Sequence, residues 1–304
     1  MKILLTGATG LLGRYILEHP DATGHDIVAL SRGEHAELAS MPRLRRVALA
    51  FEQRAQIASL VREFEPDWIA HAGGEGNVDK VQQDPSGYAA NNLEFPTFLM
   101  SEASRAKARW MTFSSNGVYG GDRAPYSEKS SAQPLHEYGR FKAEVDTRTR
   151  EYPGQWVIYR PTVSYGWNHP FGRANPVSGF LPRLAQGAEL RMVDDQFENP
   201  LYAGDAAEVF WRAIGRDYHG ELNVAGGDTR VSRHEWMIAV ARAFGFDGAR
   251  IKVAKLGDFP NATLRPRDTS FDIRRLVHDL DYSPATVQQG AELMAADFRR
   301  RPST

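Results

Sequence analysis

Lys2-Ile3-Leu4-Leu5-Thr6-Gly7-Ala8-Thr9-Gly10-Leu11-Leu12-Gly13 stands almost at the head of the chain. An apolar run short enough for a buried strand passes directly into evenly spaced glycines, and a helical pattern begins behind them. Each part has a physical use. One glycine turns the chain sharply off the strand, a second admits a ligand close to backbone, and a third lets the helix pack against the sheet. The helix N-terminus presents unpaired N–H groups, which suit a phosphate. This segment therefore predicts a dinucleotide bound across Thr6, Gly7, Thr9, Gly10, Leu11, Leu12 and Gly13.

Outward from that turn, short apolar runs recur at 27–30, 47–49, 68–70, 110–113 and 156–159. Amphipathic stretches separate them. In residues 55–64, for example, Ile57, Leu60, Val61 and Phe64 share one helix face. Strands alternating with helices predict an α/β fold, a doubly wound parallel sheet of the Rossmann kind, covered on both faces. The six runs place a dinucleotide-binding lobe at about 1–160. Beyond it, Gly, Pro and aromatic residues crowd 161–182, as loops over a cleft would. Helical patterns return at 179–186, 203–214, 233–244 and 271–298. A smaller C-terminal α+β substrate lobe is expected over 161–304, partly interleaved and with no clean linker.

The composition narrows the function. Of 304 residues, 42% are hydrophobic and 25% charged, and the net charge is −1. No global field attracts nucleic acid or an acidic membrane, so neither is an expected partner. Arg43, Arg45 and Arg46 read as a solvated face. With no cysteine, disulfides and thiolate nucleophiles are excluded. No apolar stretch approaches the roughly 20 residues of a membrane helix, and no signal-peptide pattern appears. A cytoplasmic protein is expected. The histidines show no metal-ligand spacing, and no metal is predicted.

Two further groups carry chemistry. Ser31 and Arg32 follow the second apolar run, where an acidic residue would take a ribose 2′-hydroxyl and a basic one a 2′-phosphate. They favour NADP(H) over NAD(H), while Glu34 keeps NAD open. Ser114 and Ser115 follow the fifth run, and Tyr138 and Lys142 lie four apart on one helix face. Free tyrosine has a pKa of about 10 and is a poor acid–base catalyst at neutral pH. A neighbouring ammonium is expected to lower it. Ser115 would hold a carbonyl oxygen, Tyr138 would protonate it, and Lys142 would also bind the nicotinamide ribose. Ser114 is the fallback for Ser115.

The spaced glycines and the Ser–Tyr–Lys set resemble the extended short-chain dehydrogenase/reductases. Further segments resemble the dTDP-4-dehydrorhamnose reductase group. These are Asn77-Val78-Asp79-Lys80-Val81, Asn92 in a helix, Tyr138-Gly139-Arg140-Phe141-Lys142, Arg160-Pro161, Tyr165-Gly166, 194–200 and 265–272. The resemblance implies that Ala72, Gly73 and Asn92 join Tyr138 and Lys142 at the cofactor. It implies that Asn116, Tyr165, Gln196 and Arg265 join Ser115 at a nucleotide-sugar substrate. Departures cluster at 49–52, 71–74, 116–117 and 167–176, so the exact sugar stays open. A reductase of a carbonyl, in a 4-keto nucleotide sugar, is the leading expectation. An NAD-dependent epimerase and a non-catalytic NADP-binding regulatory subunit are the alternatives. The resemblance also allows a homodimer, and oligomeric state is otherwise unset.

Overall fold

The computed structural model describes residues 1–33, 41–227, 230–259 and 263–300, so Glu34 lies outside the described residues. The first half of the chain contributes β1 (Lys2–Thr6), β2 (Asp26–Ser31), β3 (Leu44–Ala48), β4 (Trp68–His71), β5 (Arg109–Phe113) and β6 (Trp156–Pro161). Then follow β7 (Ser164–Tyr165), β8 (Leu190–Val193), β9 (Phe197–Glu198), β10 (Leu201–Tyr202), β11 (Gly220–Val224), β12 (Val231–Ser232) and β13 (Ile251–Ala254). Seven strands form one sheet in the order β3-β2-β1-β4-β5-β6-β11, with every pair parallel.

Burial on both faces explains the apolar strands. Ile3 and Leu5 of β1 enter one core, shared with α1 (Leu11–Glu18) and α8 (Ala203–Gly215). Leu4, pointing the opposite way, enters another with α2 (Arg54–Phe64) and α5 (Phe95–Arg105). The edge strand β3 starts earlier than its apolar run suggests and includes Arg45 and Arg46. Those positions face water, and an edge tolerates charge because it discourages pairing with another chain. Arg43 pairs with Asp26 and Arg45 with Glu63, a solvated face.

The chain returns to the sheet late. α8 packs on α1, where the Trp211 indole donates to the Ile16 carbonyl at 3.0 Å, and β11 then pairs with β6. The C-terminal part of the chain has its own core around Tyr165, Phe180, Leu184, Trp236, Val240 and Met294. It is built on α7 (Pro176–Ala185), α9 (Arg233–Ala243) and α11 (Val287–Arg300). The continuous helical pattern at 271–298 is broken into α10 (Arg274–Leu280) and α11. Asp281 ends α10 in the left-handed region, at φ 48°, and Pro284 then denies the chain a helical N–H.

Candidate active site

The glycine turn has the geometry that its spacing requires. Gly7 sits at φ 73°, and a Cβ there would meet Ala72 backbone at 2.5 Å. A Cβ on Gly13 would lie 2.3 Å from the Gly7 carbonyl oxygen, so α1 packs directly against the turn. Gly10 caps α1 without a side chain, and no acidic residue occupies the first turn. The positive end of the helix thus faces outward at the β1/β4 switch point, where open α/β sheets bind ligands.

A cleft of about 570 Å³ opens there. Of the expected cofactor residues, Thr6, Gly7, Thr9, Gly10, Leu11, Ser31, Arg32, Ala72 and Gly73 line it. Arg32 is exposed at the lip. Leu12 and Gly13 do not line it, because Leu12 packs on the core and Gly13 is buried under the turn. Asn92 is also drawn elsewhere. It is buried in a π-helical turn, accepting from the Glu75 N–H at 2.8 Å and donating to the Glu75 carbonyl at 3.0 Å. Its role in the structure is to fix the loop after β4, and its neighbour Asn91 reaches the cleft instead.

Sequence reasoning missed several lining residues. Leu49 and Phe51 form an apolar wall, and 168–176 supplies Phe171, Arg173 and Asn175. The Asn175 side chain caps α7 by accepting from Val177 and Ser178 N–H and ties down the loop through the Gly166 carbonyl. The signal for it was an Asn before a Pro at a helix start.

Ser114 and Ser115 diverge after β5. Ser114 donates to Asp146 at 2.8 Å in a buried cluster, where Arg160 also binds Asp146, at 2.8 Å, and Glu221, at 2.9 Å. Ser115 accepts from the Gly117 N–H at 3.0 Å and donates to the Asn116 side-chain oxygen at 3.3 Å. Tyr138 and Lys142 lie on α6 (Glu137–Arg150), whose N-cap is His136. The Lys142 ammonium donates to the Phe113 carbonyl at 2.7 Å and sits 5.8 Å from the Tyr138 ring centroid. Burial brings Lys142 down to about 8, against the raising effect of Asp146.

Burial also pushes Tyr138 above its ordinary value, although the Ser115 hydrogen bond and the Arg173 charge pull it down. The expected lowering by Lys142 is therefore corrected: Lys142 is not among the groups that lower Tyr138, and its ammonium is engaged by the Phe113 carbonyl. Ser115, Tyr138 and Lys142 do not line the cleft itself, whereas Arg173 and Glu75, whose charges act on Tyr138, do. His71, at the cleft floor, accepts or donates to the Thr6 hydroxyl at 2.7 Å, and burial brings it down to about 3. No cluster of metal-binding side chains occurs among the described residues.

The expected substrate residues disperse. Asn116 donates to Thr269 at 2.8 Å beside Ser115. Tyr165 is fully buried against Tyr202 and Trp236, in the core of the C-terminal part, so it does not reach the cleft. Gln196 accepts from Arg233 at 3.0 Å, and Arg265 pairs with Asp79 at 2.9 Å.

The family model described as the RmlD substrate binding domain matches residues 1–300. The chain belongs to this family. Its relatives include methionine adenosyltransferase 2 subunit beta of Bos taurus, 25% identical over 299 residues, covering 90% of this chain and 81% of that one. Among solved structures, a Bacillus anthracis dTDP-4-dehydrorhamnose reductase in complex with NADP superposes with a TM-score of 0.85. It is 19% identical and covers 97% of this chain and 99% of its own. The Thermus thermophilus UDP-glucose 4-epimerase complex with NAD also gives 0.85, at 22% identity, covering 99% of this chain and 100% of that one. This RmlD-family chain thus has the fold of extended short-chain dehydrogenase/reductases throughout. No helix among the described residues is long and apolar enough to cross a membrane.

Proposed function

We propose that this protein is an NADP(H)-dependent reductase of a carbonyl in a 4-keto nucleotide sugar. The observation that carries the reading is Tyr138, held protonated by burial, one helical turn from Lys142 and within the electrostatic reach of Arg173 and Glu75 of the glycine-turn cleft. The cleft fits a dinucleotide, because it opens on the N-terminus of α1, which carries neither a side-chain cap nor an acidic residue in its first turn. Gly7, Thr9, Gly10 and Leu11 would hold the diphosphate, Leu49 and Phe51 the adenine, and Lys142 the nicotinamide ribose. Ser31 and Arg32 would hold a 2′-phosphate. When bound, the nicotinamide supplies the hydride. Ser115 orients the carbonyl oxygen, and Tyr138 gives it the proton that completes the alcohol. Lys142 keeps positive charge behind the tyrosinate left over.

An NADPH-consumption screen over keto nucleotide sugars tests this, with one NADP+ expected per alcohol formed. An inverted sugar with the dinucleotide unchanged would establish an epimerase instead. No turnover with any of them, alongside tight dinucleotide binding, would leave a binding subunit. Arg32→Ala should weaken NADPH roughly tenfold or more and leave NADH unchanged; equal losses for both would remove the case for NADP.

A further inference from the structure

A salt bridge crosses the dinucleotide cleft. Arg173, on the loop between β7 and α7, places Nη1 3.0 Å from Glu75 Oε1, and Nη2 donates to the Gly76 carbonyl at 3.5 Å. Both partners line the cleft together with the glycine turn.

The two ends are held differently. Glu75 is fixed: Asn92 holds its backbone on both sides, and its Oε1 also accepts from the Asn77 N–H at 2.7 Å. The Arg173 backbone carbonyl accepts from Asn168, whose own carbonyl accepts from Arg14 at 2.7 Å. The Arg173 side chain is 60% exposed, so apart from its bonds to Glu75 and the Gly76 carbonyl its guanidinium faces solvent. An ion pair this exposed shifts an equilibrium by about fivefold at most. Here the guanidinium reaches a single carboxylate oxygen that Asn77 already uses. A phosphate would offer it the paired oxygens that suit its planar fork.

We propose that Arg173 is a diphosphate-binding residue, which exchanges Glu75 for a phosphate of the ligand in the cleft and makes its loop the outer wall. The inference rests on the dinucleotide reading above. A dinucleotide and a nucleotide sugar present the same group, and the test separates them.

Wild type, Arg173→Ala, Arg173→Lys and Glu75→Gln are titrated with NADPH, and with thymidine and uridine diphosphates at saturating NADP+. Arg173→Ala should weaken one ligand class about tenfold, with part of the loss restored in Arg173→Lys. Glu75→Gln should tighten that same class about two- to fivefold, because the guanidinium loses its competitor. A change in NADPH assigns the dinucleotide's diphosphate, and a change in the nucleoside diphosphates assigns the substrate's. Unchanged binding of both classes in Arg173→Ala overturns the proposal. So does weakening in Glu75→Gln to match Arg173→Ala, the signature of a pair that only ties two loops together. A wild type that binds neither class overturns the functional reading itself.

Discussion

Tyr138 and Lys142 are shifted in opposite directions by the same environment. Burial favours the neutral form of each, which raises the phenol and lowers the amine. A tyrosine kept protonated at neutral pH is an acid, and this suits reduction over oxidation. Lys142 titrates near 8, and its ammonium is present below that value and lost above it. Reductive kcat/KM should therefore fall above pH 8, approaching tenfold per pH unit. In Lys142→Arg, which stays charged, the fall should disappear or move well upward. A flat wild-type profile through pH 9.5, measured at roughly constant ionic strength, would contradict this role. The two adjacent serines separate similarly. Ser114→Ala should cost about 1–3 kcal/mol of stability in urea melts, because it removes a buried donor to Asp146, and leave kcat nearly intact. Ser115→Ala should do the reverse. Similar kinetic losses in both would undo the assignment.

At the scale of elements, the glycine turn was the most legible part of the sequence, because its function and its packing demand the same residues. Gly7→Ala adds a strained φ and a clash with Ala72 backbone. It should abolish NADPH binding and cost about 2–4 kcal/mol in thermal melts. Gly24→Ala, with nothing within 4 Å, serves as the near-neutral control; equal effects would mean that the turn carries no special geometry. Elsewhere, local signals misled where tertiary packing decided. The resemblance implied a cofactor contact for Asn92, yet its amide is consumed by Glu75 backbone. Tyr165 stood among loop residues with no period to reveal its inward direction, and the fold turned it into the core.

Across the molecule, strands announced by unbroken apolar runs were readable, since both faces of a parallel sheet are dry. β11 was not. Gly220-Glu221-Leu222-Asn223-Val224 alternates with polar residues whose partner, Arg160, lies far away in sequence. The C-terminal part resisted for a related reason: two-residue strands such as β7, β9, β10 and β12 gain their definition from contacts rather than from periodicity. The central claim is hydride delivery with Tyr138 as the acid. The most direct test is single-turnover mass spectrometry with NADPH deuterated at nicotinamide C4, on wild type and Tyr138→Phe with a turned-over 4-keto nucleotide sugar. The account predicts deuterium on the new carbinol carbon in wild type, and in Tyr138→Phe a rate at least about a hundredfold lower with NADPH affinity unchanged. Product without deuterium, or an equal rate in Tyr138→Phe, would contradict it.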